Sequence, residues 1–162
     1  MRSISNSNML TSFLQSLFYA GLNSGSRKKF NKIEFYLDNF QEVSTLHVMS
    51  TKPYPAKLYK DLKNFLNITG TEYKYIMGHT WKTVQTKKAN ELLSVDYSEK
   101  LITASKVWTQ GIAFFGNDQK FNHWLRQFNP FLDSRPIDLL TTISGSEMVA
   151  DELDRMKEGI LA

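Results

Sequence analysis

Ser94-Val-Asp-Tyr-Ser-Glu-Lys-Leu-Ile-Thr-Ala-Ser-Lys-Val-Trp-Thr-Gln-Gly-Ile-Ala-Phe-Phe-Gly116 carries the clearest structural signal in the chain. Leu101, Ile102, Ser105, Trp108, Ile112 and Phe115 recur at three- and four-residue steps, which gathers them on one face of an α-helix. Ser94 is of the type that caps a helix N-terminus, and Gly116 of the type that closes a C-terminus in the left-handed conformation. A helix this long must lay its apolar stripe on something.

The flanks offer more helices and no alternating strand pattern. Upstream, Leu58, Tyr59, Leu62, Phe65 and Leu66 form a stripe that stops near Gly70. Thr69 and Glu72 have capping-box spacing, predicting a short helix over Thr71–Met77 that breaks at Gly78. Thr80 is placed to cap a helix over Trp81–Asn90, with Trp81 and Val84 facing the core. Downstream, Asn117 opens a helix carrying Phe121, Trp124 and Leu125, and Asn129-Pro130 makes a turn. Pro136 suits the first turn of a helix over Ile137–Thr142. Ser144 with Glu147 reads as a second capping box, ahead of a last helix lined by Met148, Val149, Leu153 and Met156 and ended by Gly159. The fold class expected is all-α.

The first 53 residues are harder to place. Met9–Leu22 has helical periodicity, and with Ser12, Gln15 and Ser16 it reads as an amphipathic helix, not a signal peptide or a membrane span. Asn23–Lys29 reads as a basic linker, residues 30–40 as a short helix, and Val43–Met49 is ambiguous. Lys52-Pro-Tyr-Pro55 marks a boundary, because proline disfavours helix at the residue before it. An added helical hairpin, a dimerisation arm and a dispensable extension all fit this segment.

An aromatic content of 13% is that of a folded chain, which excludes a disordered tail. The absence of cysteine removes disulfides, thiolate metal sites and cysteine nucleophiles, and fits a reducing cytoplasm. Charge is uneven: residues 1–100 hold 14 Lys+Arg against 8 Asp+Glu, and residues 101–162 hold 6 against 8. A basic front half points to nucleic acid as its partner.

Two short helices about Gly78 form a helix-turn-helix pattern, whose second helix would enter the major groove. That helix presents Lys82, Thr83, Gln85, Thr86, Lys87 and Lys88, types that contact base edges and phosphates; the same lysines would equally make a solvated face. Tyr73 and Tyr75 read as packing residues. Signals for catalysis are lacking. His47, His79 and His123 have no partner at metal-ligand or triad spacing and read as surface or packing residues. Asp151, Glu152, Asp154 and Glu158 beside Arg155 and Lys157 read as exposed salt-bridge patterning. No enzyme activity, cofactor or metal is expected.

One order of residues reads further. Phe114-Phe-Gly-Asn117, Trp124-Leu125, Asn129-Pro130 with Leu132, Arg135-Pro-Ile-Asp-Leu-Leu-Thr-Thr142, Gly145, Val149, Leu153, Arg155 and Gly159 occur in that sequence. The series resembles the toxin-binding domain of the Xre/MbcA/ParS antitoxins, and with Leu92–Leu101 upstream the resemblance covers roughly residues 54–162.

The resemblance implies a helical bundle of two modules behind the extension at 1–53. These are an Xre-like helix-turn-helix DNA-binding domain at 54–110 and a small helical toxin-binding domain at 111–162. It implies a cytoplasmic antitoxin, commonly a homodimer, that binds the operator DNA of its own operon. Its partner would be a RES-domain toxin, an enzyme consuming NAD or transferring ADP-ribose from it. The C-terminal end would occupy the toxin's active site, with Arg135, Asp138, Arg155, Gly159, Ile160, Leu161 and Ala162 as contact residues. The box from Arg135 to Thr142 has an equally good structural meaning, with Pro136 and Asp138 starting a helix and Leu139 and Leu140 filling the core. The alternative role is a stand-alone helix-turn-helix transcription regulator.

Overall fold

A computed structural model describes residues 3–22 and 33–159. Among the described residues the chain is helical and has no strand, as the periodicities predict. In order come α1 (Ser3–Leu22), α2 (Ile33–Gln41), α3 (Val43–Ser50), α4 (Ala56–Phe65), α5 (Gly70–Met77), α6 (Trp81–Gln85), α7 (Ser98–Phe115), α8 (Asp118–Arg126), α9 (Pro136–Leu139) and α10 (Ile143–Lys157). None of these helices is long and apolar enough to cross a membrane.

The helix read first, α7, is the axis of the molecule. It packs against α2, α3, α4, α5, α8 and α10. Because neighbours surround it, burial extends past the expected stripe to Ala104, Val107, Thr109, Gln110 and Gly111. Ser105 and Thr109 are fully buried, and their hydroxyls donate one turn back to the Leu101 and Ser105 carbonyls at 2.6 and 2.7 Å. At its end Gly116 adopts φ 79°, closing the helix as a glycine there should.

The first 53 residues contribute to this core. On α1, Leu10, Phe13, Leu14, Leu17 and Phe18 are buried. Phe13 stands nearly perpendicular to both Phe65 and Trp108, with ring centres 5.6 and 5.5 Å away, and those two stack on each other 4.2 Å apart. Val43–Ser50 resolves as helix α3, and buried Met49 accepts a 2.8 Å hydrogen bond from the Tyr54 hydroxyl. One cluster of buried residues runs from Leu10 to Leu153, so all three sequence segments share it. The basic linker expected at Asn23–Lys29 lies outside the described residues.

Several helix ends differ from expectation. The expected helix over Trp81–Asn90 stops at Gln85, and Thr80 stands at its N-cap with its hydroxyl on Thr83 Oγ1 instead of a backbone N–H. The following loop has another use. The Ala89 and Glu91 carbonyls accept from the Lys57 and Ala56 N–H groups at 2.9 and 2.8 Å, satisfying the start of α4. Ser94 caps a 3-10 turn over Val95–Tyr97 that leads into α7. The helix expected over Ile137–Thr142 is only Pro136–Leu139. Ser144 and Glu147 form no capping box: α10 begins at Ile143, and Thr142 Oγ1 accepts from the Gly145 N–H at 2.9 Å.

Candidate functional site

The carboxy-terminal helices are fitted to α7 by one close approach. A Cβ on Gly111 would stand 2.2 Å from the Phe121 ring of α8, so only glycine admits that buried ring. Asn117 caps α8 by accepting from the Lys120 N–H at 2.9 Å. At the other end, Asn122 and Arg126 donate to the Phe65 and Asn67 carbonyls at 2.9 and 2.8 Å. Those carbonyls lie at and just past the end of α4, so α8 serves as its cap. Gly145 is similarly required, since a Cβ there would meet the Leu139 carbonyl oxygen at 2.1 Å.

Between α8 and α9 the chain turns around Asn129. Its Oδ1 accepts from the Phe131 and Leu132 N–H groups at 2.8 and 3.2 Å, and its Nδ2 donates to Glu152 Oε1 at 3.1 Å. Glu152 is only 5% exposed and also accepts from Arg155 Nε and Nη2, at 2.7 and 2.8 Å. The guanidinium lies over the Phe131 ring, 3.8 Å from its centre. The Arg155 fork, opposed first by burial and then aided by Asn129, holds the Glu152 carboxyl below its ordinary range. The same pair raises Arg155.

This seam places the sequence-predicted residues in two groups. Arg155 sits in the Asn129–Glu152–Phe131 network near the end of α10. Gly159 follows α10 with φ 70° and nothing within 4 Å of where its Cβ would be. Arg135 and Asp138 sit apart, at the start of α9, joined by two hydrogen bonds of 2.8 and 2.9 Å and about half-exposed. That pairing raises Arg135 further above neutrality. Ile160, Leu161 and Ala162 lie outside the described residues.

The residues predicted to contact DNA lie on α6 and the loop after it. Thr69 and Glu72 form the expected capping box on α5, with mutual hydrogen bonds of 3.1 and 2.7 Å. Gly78 at φ 78° ends α5 and turns the chain toward α6. His79 fills the turn from inside. Its Nδ1 lies 3.1 Å from the Met77 carbonyl, its Nε2 2.8 Å from the Tyr73 hydroxyl, and its ring stacks on Tyr97. A neutral ring with its proton on Nδ1 satisfies both contacts, and burial lowers its pKa accordingly.

On the outer face Lys82, Gln85, Thr86 and Lys88 are exposed, with Thr83 half-buried above buried Val84. Thr86, Lys87 and Lys88 follow the helix and are not part of it. Lys87 is engaged, its ammonium 2.9 Å from Glu91 and its carbonyl accepting from Lys60 at 2.7 Å.

Sequence reasoning misjudged three residues, among them Met148, read as lining the last helix but 47% exposed. Glu152, read as part of an exposed charged face, is buried, where Arg155 and the distant Asn129 supply its hydrogen bonds. Tyr75, read as packing, is 61% exposed, whereas Tyr73 is buried as expected. Phe128 and Phe131 also went unremarked, though both are over half exposed.

A comparison with curated proteins found no match. Residues 110–159, just under a third of the chain, match the family model of the antitoxin Xre/MbcA/ParS C-terminal toxin-binding domain. That segment contains α8, the Asn129 turn, α9 and α10, together with the last turns of α7. Over it, the chain is similar to the toxin-binding end of an antitoxin.

Proposed function

We propose that the protein is an antitoxin that neutralises a RES-domain, NAD-consuming toxin by lodging its C-terminal segment in the toxin's active site. The match of residues 110–159 to a toxin-binding domain carries this reading. The left-handed Gly159 supports it, because a glycine in that conformation ends a helix and residues 160–162 follow it in the sequence. Inhibition is by occlusion and involves no chemistry of the antitoxin's own. Antitoxin and toxin assemble on an antitoxin dimer, which the mass of the purified complex would report.

The same chain binds the operator of its operon through α5 and α6. Two short helices about Gly78 and the exposed Lys82, Gln85, Thr86 and Lys88 support that assignment. The division of labour follows the charge, with the basic front half on DNA and the mildly acidic back half on the toxin.

Truncation tests the occlusion. A chain ending at Glu158 keeps all of α10 and every core residue, so it should fold as the full chain does. It should fail to rescue cells expressing the toxin. Full rescue by the truncated chain would overturn occlusion by the C-terminal segment.

A further inference from the structure

The seam between the Asn129 turn and α10 is more than a structural joint. Within the family-matched segment four large apolar side chains are well exposed: Phe114, Phe128, Phe131 and Met148. Three of them belong to the two segments that meet at this seam, the Asn129 turn and α10. Met148 stands one turn before Glu152 on the stripe that continues to Arg155, by helical spacing. Phe131 lies under Arg155, and Phe128 adjoins Asn129, which is bound to Glu152. Their exposures are 47, 54 and 62%, high for two phenylalanines and a methionine.

The surroundings are rigid where the patch is apolar. Asn129 spends both side-chain ends on fixing the turn, and Glu152 holds the Arg155 fork above the Phe131 ring. Aromatic and arginine side chains held in place before binding lose little freedom on association, and they are the types that dominate interface centres. The geometry points to Phe128, Phe131 and Met148, with Arg155 set among them, as the apolar centre of the surface that grips the toxin outside its active-site cleft.

This inference rests on the antitoxin reading and extends it. The chain holds its toxin by a folded platform beside Gly159 as well as by the segment beyond. The occupant is the toxin because the patch lies inside the toxin-binding match, with Arg155 four residues before Gly159 at the end of the same segment. It should offer this patch an apolar depression able to receive an aromatic ring.

The test uses the full chain and a purified RES-domain toxin from its operon, read by NAD consumption as antitoxin is titrated in. Wild type should inhibit, and Phe128→Ser with Phe131→Ser should weaken inhibition by about 30-fold or more, the scale of interface hot spots. Tyr19→Ser, an equally exposed aromatic on α1, should change inhibition less than threefold by about the scale of a neutral surface site. Should Phe131→Ser lower the thermal midpoint, Phe128→Ser and Met148→Ala, which leave Arg155 its ring, replace it. Variants with the wild-type midpoint and wild-type inhibition would overturn the platform and leave the antitoxin reading standing. No inhibition by wild type would overturn both.

Discussion

Glu152 accepts the Arg155 fork at 2.7 and 2.8 Å from a position that is 5% exposed, so an acidic residue on the last helix acts as an internal strut. Buried carboxylates persist only where donors meet them, and here Asn129 supplies the third hydrogen bond. The turn that carries Phe128 and Phe131 is thereby locked to α10.

That lock should be visible in acid. The Glu152 carboxyl titrates below its ordinary value of 4.5, chiefly because of the Arg155 hydrogen bonds. A depressed folded-state pKa contributes stability above the unfolded value and loses it as pH falls through the folded one. Urea midpoints should therefore drop below about pH 4.5 more steeply in wild type than in Glu152→Gln. At pH 7 the variant should already be weaker, by about 1–3 kcal/mol, since Arg155 loses its charged acceptor. Parallel midpoints in acid would show that the pair contributes nothing.

Gly111 illustrates competition between propensity and packing. Alanine in mid-helix is ordinarily better than glycine by about 1 kcal/mol. Here the added methyl would stand 2.2 Å from Phe121, whose ring is buried, and overpacking of that kind costs about 1–3 kcal/mol or more. Gly111→Ala should lower the thermal midpoint, and the same change on a Phe121→Leu background should cost less. Additive losses in the double variant would mean the ring is not the obstacle.

His79 gives a second pH signature in a different window. Burial lowers its pKa from 6.5, and the neutral ring satisfies both Tyr73 and Met77. Stability from this group is complete above pH 6.5 and declines as pH falls below it toward the folded-state value. The slope can reach at most about 1.4 kcal/mol per pH unit for a single proton. His79→Phe should flatten denaturation midpoints as pH falls below 6.5. A wild type already flat there would contradict the assignment.

On α6 and the loop after it, proposed above to bind DNA, the lysines are not equivalent. Lys87 is held by Glu91, while Lys82 and Lys88 are exposed. Lys82→Ala and Lys88→Ala should each weaken operator binding and reduce the salt slope by about 1, whereas Lys87→Ala should do less. Gel shifts across a salt series would decide it, and three equal effects would contradict this ordering.

The residues that announced themselves in the sequence were those whose signal is local. The Thr69–Glu72 box, the Gly78 and Gly116 closures, the Asn117 cap and the stripe of α7 need only their own neighbours. What stayed hidden was set by distant chain. The helix at Trp81 ends early because residues 89–91 are needed at the start of α4, some thirty positions upstream by numbering. Ser144 and Glu147 have the spacing of a cap, but Gly145 must sit against the Leu139 carbonyl, and Thr142 takes the role. Burial of Glu152 depends on Asn129, a turn residue whose second task no local pattern records. The first 53 residues looked separable because nothing in them shows that Phe13 meets Phe65 and Trp108.

The central claim is that this chain silences a toxin by binding it. Purified full-length protein should be titrated against the RES-domain toxin of its operon while NAD consumption is followed. The account expects activity to fall to baseline near a fixed stoichiometric ratio, with the two proteins eluting as one complex. Undiminished NAD consumption in a large excess of the chain, with two separate elution peaks, would contradict it.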